Sequence, residues 1–130
     1  MIEKLQDIVL KKLKATNIHK EFSLGNWGKV DFVFEHNDCS VFVEIEEGQK
    51  HPHNNVVKLW PYLEENPKKK ITLIHIIAQK NKAPKNRIRL CKFYGNKIET
   101  EFTNRFRYHF LKEEEINNHS VKDLILLFND

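Results

Sequence analysis

The clearest pattern of hydrophobic and polar positions lies in the first third of the chain. Two runs of alternating apolar and polar residues, 30–35 and 41–46, are separated by the polar segment 36–39. Successive side chains of a strand point to opposite faces, so this alternation is typical of strands that are covered on one face. Two such runs joined by a short polar turn predict a β-hairpin.

Helical spacing marks the regions on either side of the hairpin. Apolar residues recur at intervals of three and four over the first 14 or so residues, which predicts an amphipathic helix. A short strand is expected at 21–24. Residues 53–65 predict a second helix, and Pro61 should kink or split it because proline has no N–H for the helical hydrogen bond.

The middle of the chain predicts a buried strand followed by a basic helix. Residues 70–78 are apolar on both faces, as in a central strand covered on each side. A basic helix is expected at 84–101, with Pro84 near its first turn. Gly95 is unfavourable in the middle of that helix.

A further strand at 105–111 and a helix starting at a Ser120 cap and running through Phe128 complete the prediction. The order is helix, three strands, helix and strand, followed by a C-terminal helix, strand and helix. Helices on both faces of a mixed sheet would form an α/β or α+β domain. We expect residues 1–130 to form this single domain.

Composition narrows the class of protein. The chain has 130 residues, of which 40% are hydrophobic and 31% charged, as is typical of one soluble globular domain. It has no apolar run of about 20 residues, so no membrane-spanning helix is expected. Its start lacks the features of a signal peptide. Cys39 and Cys91 form no paired motif and predict free or buried thiols. We therefore expect a cytoplasmic protein.

Positive charge is concentrated in one segment. The formal net charge is +4, with 22 Lys and Arg against 18 Asp and Glu. Residues 80–89 contain five cations and no acid. Such a segment favours a polyanionic partner, and we expect it to help hold the phosphate backbone of DNA. The cations assigned to this contact are Lys82, Lys85, Arg87 and Arg89.

The acids of the hairpin are the candidate catalytic groups. If the hairpin turn has two residues, Asp31 lies opposite Glu44 and on the same face as Glu46. Like charges in opposed positions destabilise the pair, and a bound divalent cation removes that cost. A solvent-exposed acidic face is the alternative interpretation. Val33 and Phe42 share the face of the acids, however, so we expect it to be partly covered.

The two strands of the hairpin read GKVDFVF (28–34) and VFVEIE (41–46). They resemble the core motif of the PD-(D/E)xK nuclease superfamily, which has an aspartate on one strand, then an acid, any residue and a lysine on the next, followed by a helix. The resemblance implies a restriction-endonuclease-like αβββαβ core and Mg²⁺-dependent hydrolysis of phosphodiester bonds. The relatives that it suggests are restriction endonucleases, Holliday-junction resolvases and DNA-repair nucleases.

Two positions depart from the motif. Val30 stands where the family has proline, and Glu46 stands where lysine is usual, as in the Glu-x-Glu variants of some restriction enzymes. The second departure leaves open which residue orients the attacking water. Glu46 itself is one candidate, and Lys50, Gln49 or Lys58 would be a replacement donor.

The resemblance also implies the metal ligands. Asp31 and Glu44 would hold Mg²⁺, for which Mn²⁺ can substitute, and Glu46 would be a further ligand or the general base. In many relatives an acid from the first helix completes the site. Glu3 is the candidate here, with ordinary surface exposure as the alternative.

We therefore expect a metal-dependent endonuclease that acts on DNA, with Gln49 and Asn55 among its DNA-binding residues. Relatives that cut both strands are often dimers, so a homodimer is a candidate assembly. One alternative is a catalytically inactive nuclease fold that serves as a DNA-binding or assembly module, which the absent motif lysine favours. The other is a protein-interaction domain whose acidic hairpin is solvated.

Overall fold

The computed structural model describes residues 4–118, which form five strands and five α-helices with one 3-10 turn. In chain order the elements are α1 (Leu5–Lys12), β1 (His19–Ser23), the 3-10 turn (Gly25–Trp27), β2 (Lys29–His36), β3 (Cys39–Glu46), α2 (Asn54–Val57), α3 (Leu59–Glu65), β4 (Ile71–Ile77), α4 (Lys85–Glu101), β5 (Phe106–Lys112) and α5 (Glu113–Asn118).

The five strands form one mixed sheet in the order β1-β2-β3-β4-β5. β1, β2 and β3 are antiparallel neighbours, whereas β3, β4 and β5 run parallel. Parallel neighbours need a crossover connection, which α2 and α3 supply between β3 and β4 and α4 supplies between β4 and β5. The predicted α+β class and the mixed sheet flanked by helices are confirmed, and so is the element order as far as β5.

The turn between β2 and β3 fixes the register of the hairpin. Asn37 and Asp38 have φ angles of 49° and 65°, as both central residues of a type I′ turn require. The pairs formed include His36 with Cys39 and Val33 with Phe42, which is the predicted register. A two-residue turn therefore places the acids of both strands on one face of the sheet.

Each face of the sheet is covered by helices. α1 and α5 pack on one face, where the core includes Val9, Ile116, Phe34, Val43 and Ile76. α2, α3 and α4 cover the other face, where the core includes Val56, Leu59, Cys91, Phe42 and Leu73. The second face also carries the acids of the hairpin, so the candidate site is built beneath α2, α3 and α4.

Pro61 splits the predicted helix into α2 and α3. A helical N–H at residue 61 would donate to the carbonyl of Val57, and proline cannot make this bond. The break falls at Lys58, whose backbone remains helical with φ −59° and ψ −21°. The two short helices are therefore nearly continuous, and Lys58 lies at the joint between them.

Gly95 is required by packing between α4 and β5. A Cβ atom at this position would lie 2.2 Å from Cδ2 of Tyr108, well inside any normal contact. The glycine that is unfavourable for an isolated helix thus lets α4 lie directly on the ring of Tyr108. Pro84 immediately precedes α4, as predicted for a proline at the start of a helix.

The C-terminal part of the domain differs from the prediction in one respect. Helix α5 was not predicted, although its first turn contains Glu113, Glu114 and Glu115 and acids favour a helix N-terminus. The predicted helix from Ser120 to Phe128 lies outside the described residues, as does Glu3. Among the described residues, no helix has the length and hydrophobicity needed to cross a membrane.

Candidate active site

The candidate site lies at the edge of the sheet where the parallel strands end. Glu44 and Glu46 belong to the last residues of β3, and His75 is the register neighbour of Glu44 on β4. Asp31 reaches the same edge because β2 runs antiparallel and begins there. The carboxyl ends of strands are where open α/β sheets usually bind ligands.

The carboxylates of Asp31 and Glu44 each accept a hydrogen bond from a backbone N–H of the opposite strand. The N–H of Asp31 donates to Oε1 of Glu44 at 2.8 Å, and the N–H of Ile45 donates to Oδ2 of Asp31 at 2.9 Å. The backbone pairing of β2 with β3 ends at Phe32 and Val43, and beyond this pair the two carboxylates accept the backbone N–H groups in place of carbonyl oxygens. This reciprocal arrangement confirms the predicted opposition of the two acids and fixes both side chains.

Lys58 supplies positive charge to these acids. Its Nζ lies 2.6 Å from Oε2 of Glu44 and 2.7 Å from Oδ1 of Asn55, and it also contacts the carbonyl of Lys29. The Lys58 side chain is 12% exposed. The joint between α2 and α3 therefore places one ammonium group next to the acids. Lys58 lies 12 residues after position 46, where the motif usually has its lysine.

Burial dominates the electrostatics of the two acids. Glu44 is 2% exposed, and desolvation raises its pKa from 4.5 to about 7 despite the neighbouring Lys58. Desolvation also raises the pKa of Asp31, and the hydrogen bond from Ile45 opposes that rise only in part. One ammonium does not compensate two desolvated carboxylates, so the site favours a further positive charge.

Glu46 is the most deeply buried of the acids. It has no exposed surface, and Nδ2 of Asn55 donates to its Oε1. Its Oε2 has no hydrogen-bond partner among the described residues, although buried carboxylate oxygens are nearly always bonded. The alternative of a solvated acidic hairpin is therefore wrong for Glu44 and Glu46, since both are buried.

His75 and Tyr108 extend this polar group across two more strands. Nε2 of His75 lies 3.4 Å from Oε1 of Glu46, and both side chains are fully buried. Nδ1 of His75 forms a 2.8 Å hydrogen bond with the hydroxyl of Tyr108. The sequence analysis did not identify this pair. A single histidine inside the apolar strand 71–77 was the available signal, because buried polar residues need partners.

The donor set of the site suits a hard divalent cation. Among residues 4–118, no three or more His, Cys, Asp or Glu side chains are arranged to enclose a metal ion. Mg²⁺ does not need such a cage, because it usually binds one or two carboxylates and takes waters and substrate phosphate as its other ligands. Asp31 and Glu44 are such a pair, and desolvation raises the pKa of both carboxyl groups.

Two other predicted site residues lie on the loop after β3. Lys50 and Gln49 are exposed. The carbonyl of Lys50 accepts a hydrogen bond from Nη1 of Arg87, and the side chain of Gln49 accepts one from the N–H of Gly48. The structure brings Asn55 and Lys58 to the acids, whereas the contacts of Lys50 and Gln49 are with the loop and α4.

The predicted basic segment is divided between two sides of α4. Arg87 is half-buried and points to the loop that follows β3. Lys85 and Arg89 are exposed and line a cleft on the other side, and Lys82 is exposed on the preceding loop. Helical geometry explains the division, since positions two apart on a helix face different directions.

Comparison with known proteins leaves the chain without an assigned family. No protein-family model matches it, and no curated protein matches it. Among solved structures, SfsA of Pyrococcus furiosus in complex with Ca²⁺ is similar, with a TM-score of 0.46 and 15% identity over 83% of this chain and 52% of that chain. The chain thus spans about half the length of that SfsA structure.

Proposed function

We propose that the protein is a metal-dependent nuclease that hydrolyses phosphodiester bonds of DNA. The observation that carries this proposal is the pair of opposed, desolvated carboxylates, Asp31 and Glu44, with the ammonium of Lys58 at 2.6 Å from the second of them. Two acids and one lysine in this arrangement provide the groups that phosphodiester hydrolysis with a divalent cation requires. The resemblance of the hairpin to the PD-(D/E)xK motif points to the same chemistry.

Asp31 and Glu44 are the residues that would hold Mg²⁺ or Mn²⁺, with Glu46 as a further ligand or as the general base. When bound, the cation would lower the pKa of a water molecule and shield the charge of the scissile phosphate. Glu44 would bind the cation in its ionised form. The ammonium of Lys58 would then either share Oε2 of Glu44 with the cation or move away from it. Mg²⁺ and Mn²⁺ both accept such oxygen ligands.

Lys58 replaces the missing lysine of the motif in this proposal. Its ammonium forms an ion pair with Glu44 in the free protein. Because it lies at the joint between α2 and α3, a small movement of its flexible side chain would bring it to the scissile phosphate. There it would stabilise the negative charge that develops during hydrolysis. Lys50 is the weaker candidate, since it lies exposed on the loop.

Glu46 is the candidate general base. Asn55 holds one of its oxygens, and Oε2 is left to accept a proton from the attacking water. Nε2 of His75 lies 3.4 Å from the same carboxylate, and its ring is bonded through Nδ1 to Tyr108, so both groups have fixed positions beside Glu46. A base with a fixed orientation loses less entropy when it acts.

The experiment that tests this function is DNA cleavage by metal-stripped protein. We expect plasmid, linear or branched DNA to be cut in Mg²⁺ or Mn²⁺, and little or no cutting in Ca²⁺ or EDTA, because the water must be positioned within tight geometry. Asp31→Asn prepared in the same way is the control for contaminating nucleases. Undiminished cleavage in EDTA would contradict the proposal.

Lys58→Met separates the role of the amine from metal binding. Methionine has a similar length and no charge, so the variant should retain a thermal shift on addition of Mg²⁺ but lose about 100-fold or more in cleavage rate. Unchanged cleavage would move the role to another donor. DNA binding by wild-type protein without cleavage under any metal would instead favour the catalytically inactive binding module.

A further inference from the structure

A cleft of about 470 Å³ opens beside the candidate active site, between α4 and the ends of β4 and β5. Ile77 lines it and is the register partner of Glu46. Asn81 also lines it and donates from Nδ2 to the carbonyl of Glu46 at 3.3 Å. Ile77 lies two strands across from Asp31 and two residues further along, so the nearest wall of the cleft is about 12 Å from Asp31. A DNA strand bound at the acids would reach it within a few nucleotides.

Four cations surround this cleft. Lys85, Arg89 and Lys92 come from one face of α4, at spacings of four and three, and Lys112 comes from β5. All four of these residues are exposed. The acids that line the cleft are Glu113 and Glu114. Glu113 is engaged, since its Oε1 accepts the N–H of Gln79 at 2.9 Å. Four cations against two acids give the lining of the cleft a net positive charge, which is complementary to an anion.

The interior of the cleft is apolar. Ile77, Ile88 and Phe110 are half-buried there, and the buried Ala78 also lines the cleft. Nζ of Lys92 lies 4.7 Å from the ring centroid of Phe110, so this cation is held at the margin of the apolar surface. Cations around an apolar interior suit a ligand that combines a flat apolar group with a phosphate.

We propose that this cleft binds one unpaired nucleotide of the DNA strand whose phosphodiester lies at Asp31 and Glu44. The base lies against Ile77 and Ile88, and the flanking phosphates contact Lys85 and Arg89. This inference rests on the proposed nuclease function and names its substrate class. A base that is paired in a duplex cannot enter the cleft without unstacking, so the favoured substrate is single-stranded or locally unpaired DNA.

The test measures binding in EDTA, where cleavage does not interfere. A labelled oligothymidylate and a blunt duplex of equal length are titrated with wild-type protein by fluorescence anisotropy at several salt concentrations. We expect the single strand to bind at least about tenfold more tightly than the duplex at equal salt. Methyl NMR signals of Ile77 and Ile88 should shift with oligothymidylate.

Charge variants test the phosphate contacts. Lys85→Ala/Arg89→Ala should weaken single-strand binding and lower the log–log salt slope by about 0.7 for each lost phosphate contact. Lys68→Ala/Lys70→Ala is the matched control, since it removes two exposed lysines near the opposite end of β4. The control should leave both affinity and slope at wild-type values.

Ile88→Ser tests the apolar interior. It should reduce single-strand affinity by about tenfold without changing the salt slope, because it removes no phosphate contact. Circular dichroism checks that the variant folds, and Ile88→Ala replaces it if it does not. If a folded variant at position 88 binds the single strand as tightly as the wild type, the nucleotide base does not lie against Ile88 and the proposal is wrong.

The outcomes separate the cleft from the nuclease proposal. Equal affinity for single strand and duplex, or no methyl shift with oligothymidylate, overturns the cleft assignment even if the protein cuts DNA in Mg²⁺. A clear preference for the single strand in EDTA, with the predicted effects of the variants, supports it. If such a protein cuts no DNA with any metal, the nuclease proposal fails and the cleft remains a single-strand binding site.

Discussion

Replacing Glu44 with glutamine removes a charge that the fold stabilises poorly. Glu44 is 2% exposed, and burial raises its pKa from 4.5 to about 7, although Nζ of Lys58 lies 2.6 Å from its Oε2. The attraction to Lys58 is thus smaller than the cost of desolvation. In the metal-free protein, the ionised form of Glu44 should therefore lower the free energy of unfolding.

The magnitude follows from the pKa difference. A rise from 4.5 to about 7 corresponds to about 3 kcal/mol between the ionised and protonated forms. The amide oxygen of glutamine can still accept the hydrogen bond from the N–H of Asp31. Its NH₂ group, however, then faces the ammonium of Lys58, and two donors cannot bond to each other. The lost hydrogen bond should reduce the gain in stability by about 1 kcal/mol. We expect Glu44→Gln to raise the free energy of unfolding by about 2 kcal/mol at pH 8.

The pH dependence has a definite sign. Because the folded-state pKa is raised, the contribution of Glu44 to stability is fully present below pH 4.5, and it is lost as the pH rises through about 7. Near pH 4.5 the variant should be up to about 1 kcal/mol less stable than the wild type because only the unfavourable amide contact remains, and the difference should reverse to about 2 kcal/mol in favour of the variant above pH 7. Urea denaturation in EDTA at several pH values measures it. A wild type that is more stable than the variant at pH 8 would refute the reasoning, since Glu44 would then be a stabilised partner of Lys58.

Two further predictions concern metal binding and packing. Carboxyl groups must lose their protons to bind a cation, so the Mg²⁺ affinity should rise by up to about tenfold per pH unit below pH 7 and level off above the pKa of Glu44. Calorimetric titration at several pH values measures this affinity. An affinity that does not depend on pH would contradict the role of Glu44 as a ligand. Gly95→Ala should destabilise the protein by about 1–3 kcal/mol in urea denaturation, because its Cβ would meet the ring of Tyr108 at 2.2 Å. If the variant is as stable as wild type, α4 can shift away from β5.

The hairpin was predictable because its determinants are local. Alternation along both strands and a two-residue turn at Asn37 and Asp38 set the register, and the register alone brings Asp31 opposite Glu44. The split of the second helix was predictable for the same reason, since Pro61 acts on a carbonyl four residues earlier. That the split would place Lys58 on Glu44 depends on how the helices pack, which periodicity does not encode.

The long-range part of the site was not predictable from local patterns. His75 and Tyr108 meet across two parallel strands that are connected by α4, so their contact depends on the sheet order and on Gly95. The division of the basic segment was predictable in part. Once residues 84–101 are taken as a helix, spacings of four and three place Lys85, Arg89 and Lys92 on one face and Arg87 on another.

The most direct test of the candidate site compares thermal melts of wild type and Asp31→Asn with and without Mg²⁺. Desolvation raises the pKa of Asp31, so removing its charge should leave the metal-free stability unchanged or raise it. Mg²⁺ should raise the Tm of the wild type, because it binds only the folded state, and should leave the Tm of Asp31→Asn unchanged. Equal stabilisation of both proteins by Mg²⁺ would show that Asp31 is not a ligand and would contradict the account.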